Sequence, residues 1–205
     1  MVITQNTAEP ATRLYGQQTT LSLGNFPGPG RTFGDVPVFV RNYALVKLAA
    51  ARANYEVGVL DEARKDAIVA ACEEVAAGAH ATQFPSALLL GGGGTTTNMN
   101  VNEVIAARAS QLLGKPVHSN DHVNASQSTN DTYPTAMALT VLDLARQPLE
   151  ALEDLTTALE AKAAEFDQTP HLGRTCVRDA VTLTAGQSHR AQAAAVRRTA
   201  RALGD

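Results

Sequence analysis

Three short stretches concentrate side chains able to hydrogen-bond to an anion: GGGGTTTN at residues 91–98, SQSTND at 126–131 and GRTC at 173–176. Hydroxyls and carboxamides are neutral donors, and glycine lets backbone N–H groups approach a ligand with no Cβ in the way. The first two stretches stand directly before sequences that read as helices. The start of a helix attracts anions, because its first N–H groups have no intrahelical partner and the aligned peptide dipoles place partial positive charge there. The same residue types also make ordinary N-caps, and glycine runs make ordinary turns. The residues alone leave both readings standing: a helical protein with crowded caps, or a helical receptor for a small carboxylate. Neither names a reaction.

Other candidates are weaker. His118 and His122 lie four apart, a spacing that suits two zinc ligands on one helical face, but PVHSND reads as a loop and no acidic helical partner accompanies it. No metal and no cofactor is expected. Cys72 and Cys176 are too few and too widely spaced for a disulfide framework, which fits a reducing compartment. Cys72 falls on an apolar helical stripe and reads as a small core residue. Arg190, Arg197, Arg198 and Arg201 form a charged face of the last helix, solvated or in contact with a subunit.

The elements that must position these groups are helices. Hydrophobic residues make up 44% of the 205 residues but aromatics only 4%, with no Trp, so the core must be built from Ala, Leu and Val, as in close-packed helices. Tyr43, Val46, Ala50, Ala53 and Val57 mark one stripe over 38–57. Leu60, Ala63, Ala67, Ile68, Ala71 and Val75 mark a second, paired with the first as a hairpin. Val101, Val104, Ile105, Leu112 and Leu113 mark a third that ends at Gly114. A helix follows SQSTND, Pro148 is placed to open another with Leu149, Leu152, Leu155 and Leu159 on its buried face, and a last one ends at Gly204. Residues 1–37 read as an arm or loop, and no strand-like alternation is evident. The fold class is therefore mainly α: an N-terminal arm and small helical domain over 1–125, then the start of a long central helical bundle, truncated, over 126–205. The formal charge of -3 argues against nucleic acid as a partner; no apolar run reaches membrane-spanning length and no secretory signal opens the chain, so a cytoplasmic protein is expected.

TTTNMNVNEVIAARAS, HSNDHVNASQSTNDTYPTAMA, GRTCVRDAVTLTAGQ and LYGQQTTLSLGNF together carry a resemblance. From about Thr12 to the last residue the chain resembles the fumarase/aspartase superfamily, aspartate ammonia-lyases in particular. The resemblance implies a homotetramer with a mixed N-terminal domain, a long helical bundle and a small C-terminal domain, and active sites where three subunits meet. It implies anti elimination of ammonia from L-aspartate to give fumarate through an aci-carboxylate, with fumarate hydratase or another substituted-succinate lyase as the alternative. A non-catalytic dicarboxylate-binding or assembly subunit is the reading from another class.

Carried over by position, Thr95, Ser128, Thr129, Asn130, Thr175 and Cys176 are the substrate-binding residues, and His118, Asn120 and Asp121 match a secondary dicarboxylate site. The family's base is a serine in a GSSxMPxKxN loop, and that motif does not occur in these 205 residues. A fragment, a split-gene half with a complementary C-terminal partner, or a chain inactive by itself is the expectation. Cys176 stands where many members have His or Gln, as a leaving-group contact or an inert thiol. Leu21, Val177, Arg178 and Thr182 also depart from the usual pattern.

Overall fold

Pro37 opens helix α2 (Pro37–Glu56), at a position where the missing N–H leaves no hydrogen bond unmade. The chain turns at Gly58 in the left-handed region and enters α3 (Glu62–Ala76), whose N-cap Asp61 accepts from the Arg64 N–H. Helix α4 (Thr95–Leu113) packs on α3 and stops at the left-handed Gly114. The computed structural model describes residues 13–26, 28, 30–89 and 93–204.

Ile68, Ala71, Cys72, Val101, Val104 and Ile105 are fully buried between these helices. Five of the nine aromatic residues form one cluster, where Phe33 meets Phe39, Phe84 and Tyr43 edge to face at 4.9, 5.8 and 6.3 Å.

The N-terminal arm is more regular than its composition suggests. It carries helix α1 (Gln17–Asn25), whose N-cap Gly16 has no side chain to offer. Glu103 of α4 supplies the missing acceptor: its carboxylate takes the N–H groups of Gly16, Gln18 and Thr19 at 2.9, 2.8 and 3.1 Å and the Thr19 hydroxyl at 2.6 Å. A charged acceptor at a helix N-terminus combines hydrogen bonding with the helix dipole. Glu103→Gln keeps the shape but removes the charge and turns one acceptor into a donor. It is expected to cost about 1–3 kcal/mol and to expose the arm to protease; an unchanged urea midpoint and cleavage pattern would refute this account of the arm.

The chain divides into two compact units, Met1–Thr140 and Val141–Asp205, and helix α5 (Thr129–Glu165) contributes to both. In the second unit, strands β1 (Pro170–Thr175) and β2 (Arg178–Thr184) pair antiparallel, and helix α6 (Ala185–Gly204) runs back along α5. Gly186 makes the close start of that packing possible: a Cβ there would lie 2.6 Å from the Ala163 carbonyl oxygen. Ala163 and Ala193 are buried, and Arg190 pairs with Asp167 at 2.8 Å while Arg197 pairs with Glu160.

The mainly α class holds, with differences in detail. The β1–β2 hairpin went unread because nearly all its residues are exposed, so burial imposes no alternation on them. Pro148 opens no new helix; α5 runs through both Pro134 and Pro148, each of which removes one bond from a 37-residue ladder. Its inward line in this part uses Thr156 and Ala163 beside the half-buried Leu149, Leu152 and Leu159, while Leu155 is exposed. In α2 the buried line is Val40, Tyr43, Ala44, Lys47, Ala51 and Asn54, and Ala53 and Val57 face outward. Among the described residues no helix is long and apolar enough to cross a membrane.

Candidate functional site

The first turns of α4 and α5 meet. Gly94, the N-cap of α4, sits at φ +84°, and a Cβ there would come within 2.4 Å of the Tyr133 ring of α5. One turn into α4, Asn98 is buried and lies at the centre of a polar network. Its Nδ2 donates to Thr129 Oγ1 at 3.0 Å and to Asn124 Oδ1 at 3.2 Å, and its Oδ1 accepts from the Tyr43 hydroxyl at 3.0 Å. Asn124 Oδ1 also accepts from Asn102 Nδ2 at 3.1 Å and from Lys47 Nζ at 2.9 Å, and Lys47 donates again to Gln127 Oε1 at 3.0 Å. Gln127 in turn donates to the carbonyls of Val123 and Ala125, which fixes the loop before α5. Helices α2, α4 and α5 and that loop are thus tied through buried amides and hydroxyls, where each unmade bond would carry a desolvation penalty.

Above this network the entrance of α5 is exposed. Ser128 caps it, with its Oγ accepting from the Asn130 N–H at 3.1 Å, and the Asp131 carboxylate returns to the Ser128 N–H at 3.3 Å. Capping therefore accounts for Ser128 and Asp131 as acceptors, but not for Asn130, whose side chain is exposed, nor for the half-buried Thr129. Thr95, the first residue of α4, is exposed beside Gly94. The structure thus brings Thr95 together with Ser128, Thr129 and Asn130 at one junction. Residues 90–92, part of the quoted glycine run, lie outside the described residues.

His118, Asn120 and Asp121 are all exposed on one π-helical turn, Ser119–Val123, whose N-cap is His118. His118 Nδ1 accepts from the Asp121 N–H at 3.2 Å, and His122 Nδ1 accepts from the His118 N–H at 2.8 Å. Burial and the Arg64 charge push His122 below the ordinary imidazole pKa, in keeping with its acceptor role.

Thr175 and Cys176 belong to the second unit. Thr175 pairs with Arg178, leaving Cys176 and Val177 as a two-residue hairpin turn with both φ angles positive, +47° and +64°. Glycine and asparagine are the usual residues there, and a β-branched Val177 in that region is strained by about 1–3 kcal/mol. The exposed Cys176 thiol is thereby presented at the tip. Buried Cys72, by contrast, has its pKa pushed far up by desolvation.

Sequence reasoning placed Asn98 and Gln127 within its polar stretches without giving them a site role, read Tyr43 only as part of an apolar stripe, and missed Asn124 and Lys47. The asparagine-rich spacing at 98, 100 and 102 was the one available sign, since buried amides in a helix interior need partners. A surface cavity of about 610 Å³ near Asp61, Glu62, Asp66, Arg64 and Lys115 lies apart from this junction, and its three carboxylates make it a poor receptor for a dianion.

A family model described as "Lyase" matches residues 6–204, and the chain belongs to that family, within the fumarase/aspartase superfamily. It is 48% identical over 196 residues to the class II fumarate hydratase of Thermus aquaticus, covering 93% of this chain and 42% of that protein. Among solved structures, a fumarate lyase:delta crystallin from Brucella melitensis superposes with a TM-score of 0.77 at 43% identity, covering 95% of this chain and 45% of that one. The class II fumarase of Schistosoma mansoni gives 0.75 at 39% identity, covering 94% and 42%. The chain spans about two fifths of the length of the curated relatives it matches. Two of these relatives are named as fumarases and none as an ammonia-lyase, in contrast to the first choice drawn from the resemblance.

Proposed function

We propose that this chain supplies the dicarboxylate receptor of a fumarase-type lyase, and that the whole protein interconverts L-malate with fumarate and water. The observation that carries this is the junction of two polar helix entrances locked by Asn98. Thr95, Ser128, Thr129 and Asn130 bind one end of the substrate, and Thr175 and Cys176 are substrate-binding residues that a different subunit contributes. His118, Asn120 and Asp121 form the secondary dicarboxylate site. The names of the relatives favour water over ammonia as leaving group; L-aspartate is the second reading, favoured by DAV at 179–181.

The chemistry follows from charge. Removal of a proton next to one carboxylate leaves an aci-anion with an added negative charge, and hydroxyl, amide and backbone N–H donors fixed around it stabilise that charge more than they stabilise the substrate. The base would be a serine of the family's loop, for which these 205 residues hold no matching motif. The chain by itself therefore binds without turnover. The division at 125/126, the homotetramer or complementary half, and a cytoplasmic location belong to the same proposal.

Fumarate is expected to raise the Tm of the purified chain, since a ligand preferring the folded form adds RT ln(1 + [L]/Kd) of stability. Ser128→Ala with Asn130→Ala should abolish that response while lowering the ligand-free stability by about 1 kcal/mol, the usual worth of a cap. An equal Tm response in the double variant would reject the receptor. Fumarate absorbance separates the leaving groups in the whole protein: faster release from malate than from aspartate supports the hydratase, and the reverse result overturns it.

A further inference from the structure

Lys47 lies in the middle of α2, fully buried, with its ammonium aimed at the loop that leads into α5. Its two hydrogen bonds go to the neutral side chains of Asn124 and Gln127, and among the described residues it makes no ion pair. Asn124 is the same atom-sharing amide that binds Asn98, and Asn98 holds Thr129. A lysine that only filled space would be disfavoured here, because a buried amine without a carboxylate must be neutralised or compensated.

We propose that Lys47 is a positioning residue of the dicarboxylate receptor: through Asn124 and Gln127 it fixes the start of α5, and its ammonium compensates a doubly negative ligand from beneath. This rests on the dicarboxylate reading of that entrance. The surroundings are suited to a group whose charge depends on the ligand. From its own helix Tyr43 offers a ring face 5.6 Å from Nζ, and among the described residues the titratable group facing it from α3 is Cys72. Burial pushes both the Tyr43 hydroxyl and the Cys72 thiol up, so each is neutral near pH 7. From α4, the loop and α5 come Asn98, Asn102, Asn124, Gln127 and Thr132, all uncharged. Burial lowers the Lys47 pKa from 10.5 to about 7. An incoming dianion favours the ammonium and raises that value again, so above neutral pH binding must take up a proton. Neutral Lys47 would weaken the receptor in two ways, by removing the charge and by leaving Asn124 and Gln127 only the weaker N–H donors of an uncharged amine.

The test is fumarate binding to the purified chain by titration calorimetry across the neutral range, in two buffers of different ionisation enthalpy. The expected result is proton uptake on binding and an affinity that falls roughly five- to tenfold between about pH 7.5 and pH 8.5. Lys47→Met should bind weakly with no pH dependence, and His122→Gln, which alters an imidazole on the same loop, should keep the wild-type slope, which separates the lysine from a nearby imidazole. The buffer comparison needs no variant, so the proposal stays testable if Lys47→Met does not fold. Fumarate binding with neither proton uptake nor a pH slope overturns the role of Lys47 and leaves the receptor standing, as does a slope that disappears in His122→Gln. Absence of fumarate binding at every pH removes the receptor and this inference together.

Discussion

Gly94→Ala lowers the stability of the first unit by about 3 kcal/mol. Two independent causes act at this position. The backbone is left-handed, at φ +84°, where an L side chain meets its own carbonyl, a penalty of about 1 kcal/mol. The new Cβ would also lie 2.4 to 2.7 Å from three atoms of the Tyr133 ring. That ring packs against Phe39 at 5.7 Å and Tyr43 at 6.3 Å, so it cannot withdraw without disturbing the aromatic cluster. Overpacking of this kind costs about 1–3 kcal/mol. Urea denaturation measures the sum. Repeating the substitution in a Tyr133→Ala background isolates the steric part: there Gly94→Ala should cost only the backbone penalty of about 1 kcal/mol. Equal costs in both backgrounds would show that the ring does not limit the approach of α4 to α5. Fumarate should also lose its effect on Tm, because the two entrances can no longer meet.

Asn98→Ala is expected to cost about 2–4 kcal/mol and to abolish fumarate-induced stabilisation. The side chain is buried and joins Tyr43, Asn124 and Thr129 across three elements. Its removal leaves the Thr129 hydroxyl without the donor that orients it and leaves a void in the network. Stability loss alone would not identify a role in the receptor, so a matched control is needed. Asn100 is equally buried two residues on, but it faces the other way: it accepts from Ser86 Oγ at 3.2 Å and donates to the Gln83 carbonyl at 3.0 Å. Asn100→Ala should therefore lose a comparable amount of stability and keep the fumarate response. If both variants lose the response in proportion to their stability, Asn98 is a core residue and nothing more.

The two positions show where sequence reading succeeds and where it stops. Elements α3 and α4 were legible because their signals are local: the stripe Ala67, Ile68, Ala71, Val75 at spacings of three and four, and Gly114 after a periodic run, although the stripe was begun at Leu60 and the helix starts after Asp61. The crowding of polar residues at 95–98 and 126–131 was also visible. What those residues do was not, because N-caps and anion receptors use the same side chains. The structure adds that Gly94 meets Tyr133 and Asn98 meets Thr129, contacts that bring the two entrances together from more than thirty positions apart.

Lys47 marks the limit most clearly. Read along α2, a lysine belongs on the solvent face, and the apolar letters drew the stripe through Val46, Ala50 and Ala53 instead. The fold turns Lys47 and Asn54 inward, where Asn124, Gln127 and the Ala125 carbonyl receive them. Local propensity, helix punctuation and the family blocks were properties of the chain itself. The burial of charge, the union of two helix entrances and the strained turn at Cys176 were decided by tertiary structure, since the free energy of a polar group depends on partners that lie far away along the chain.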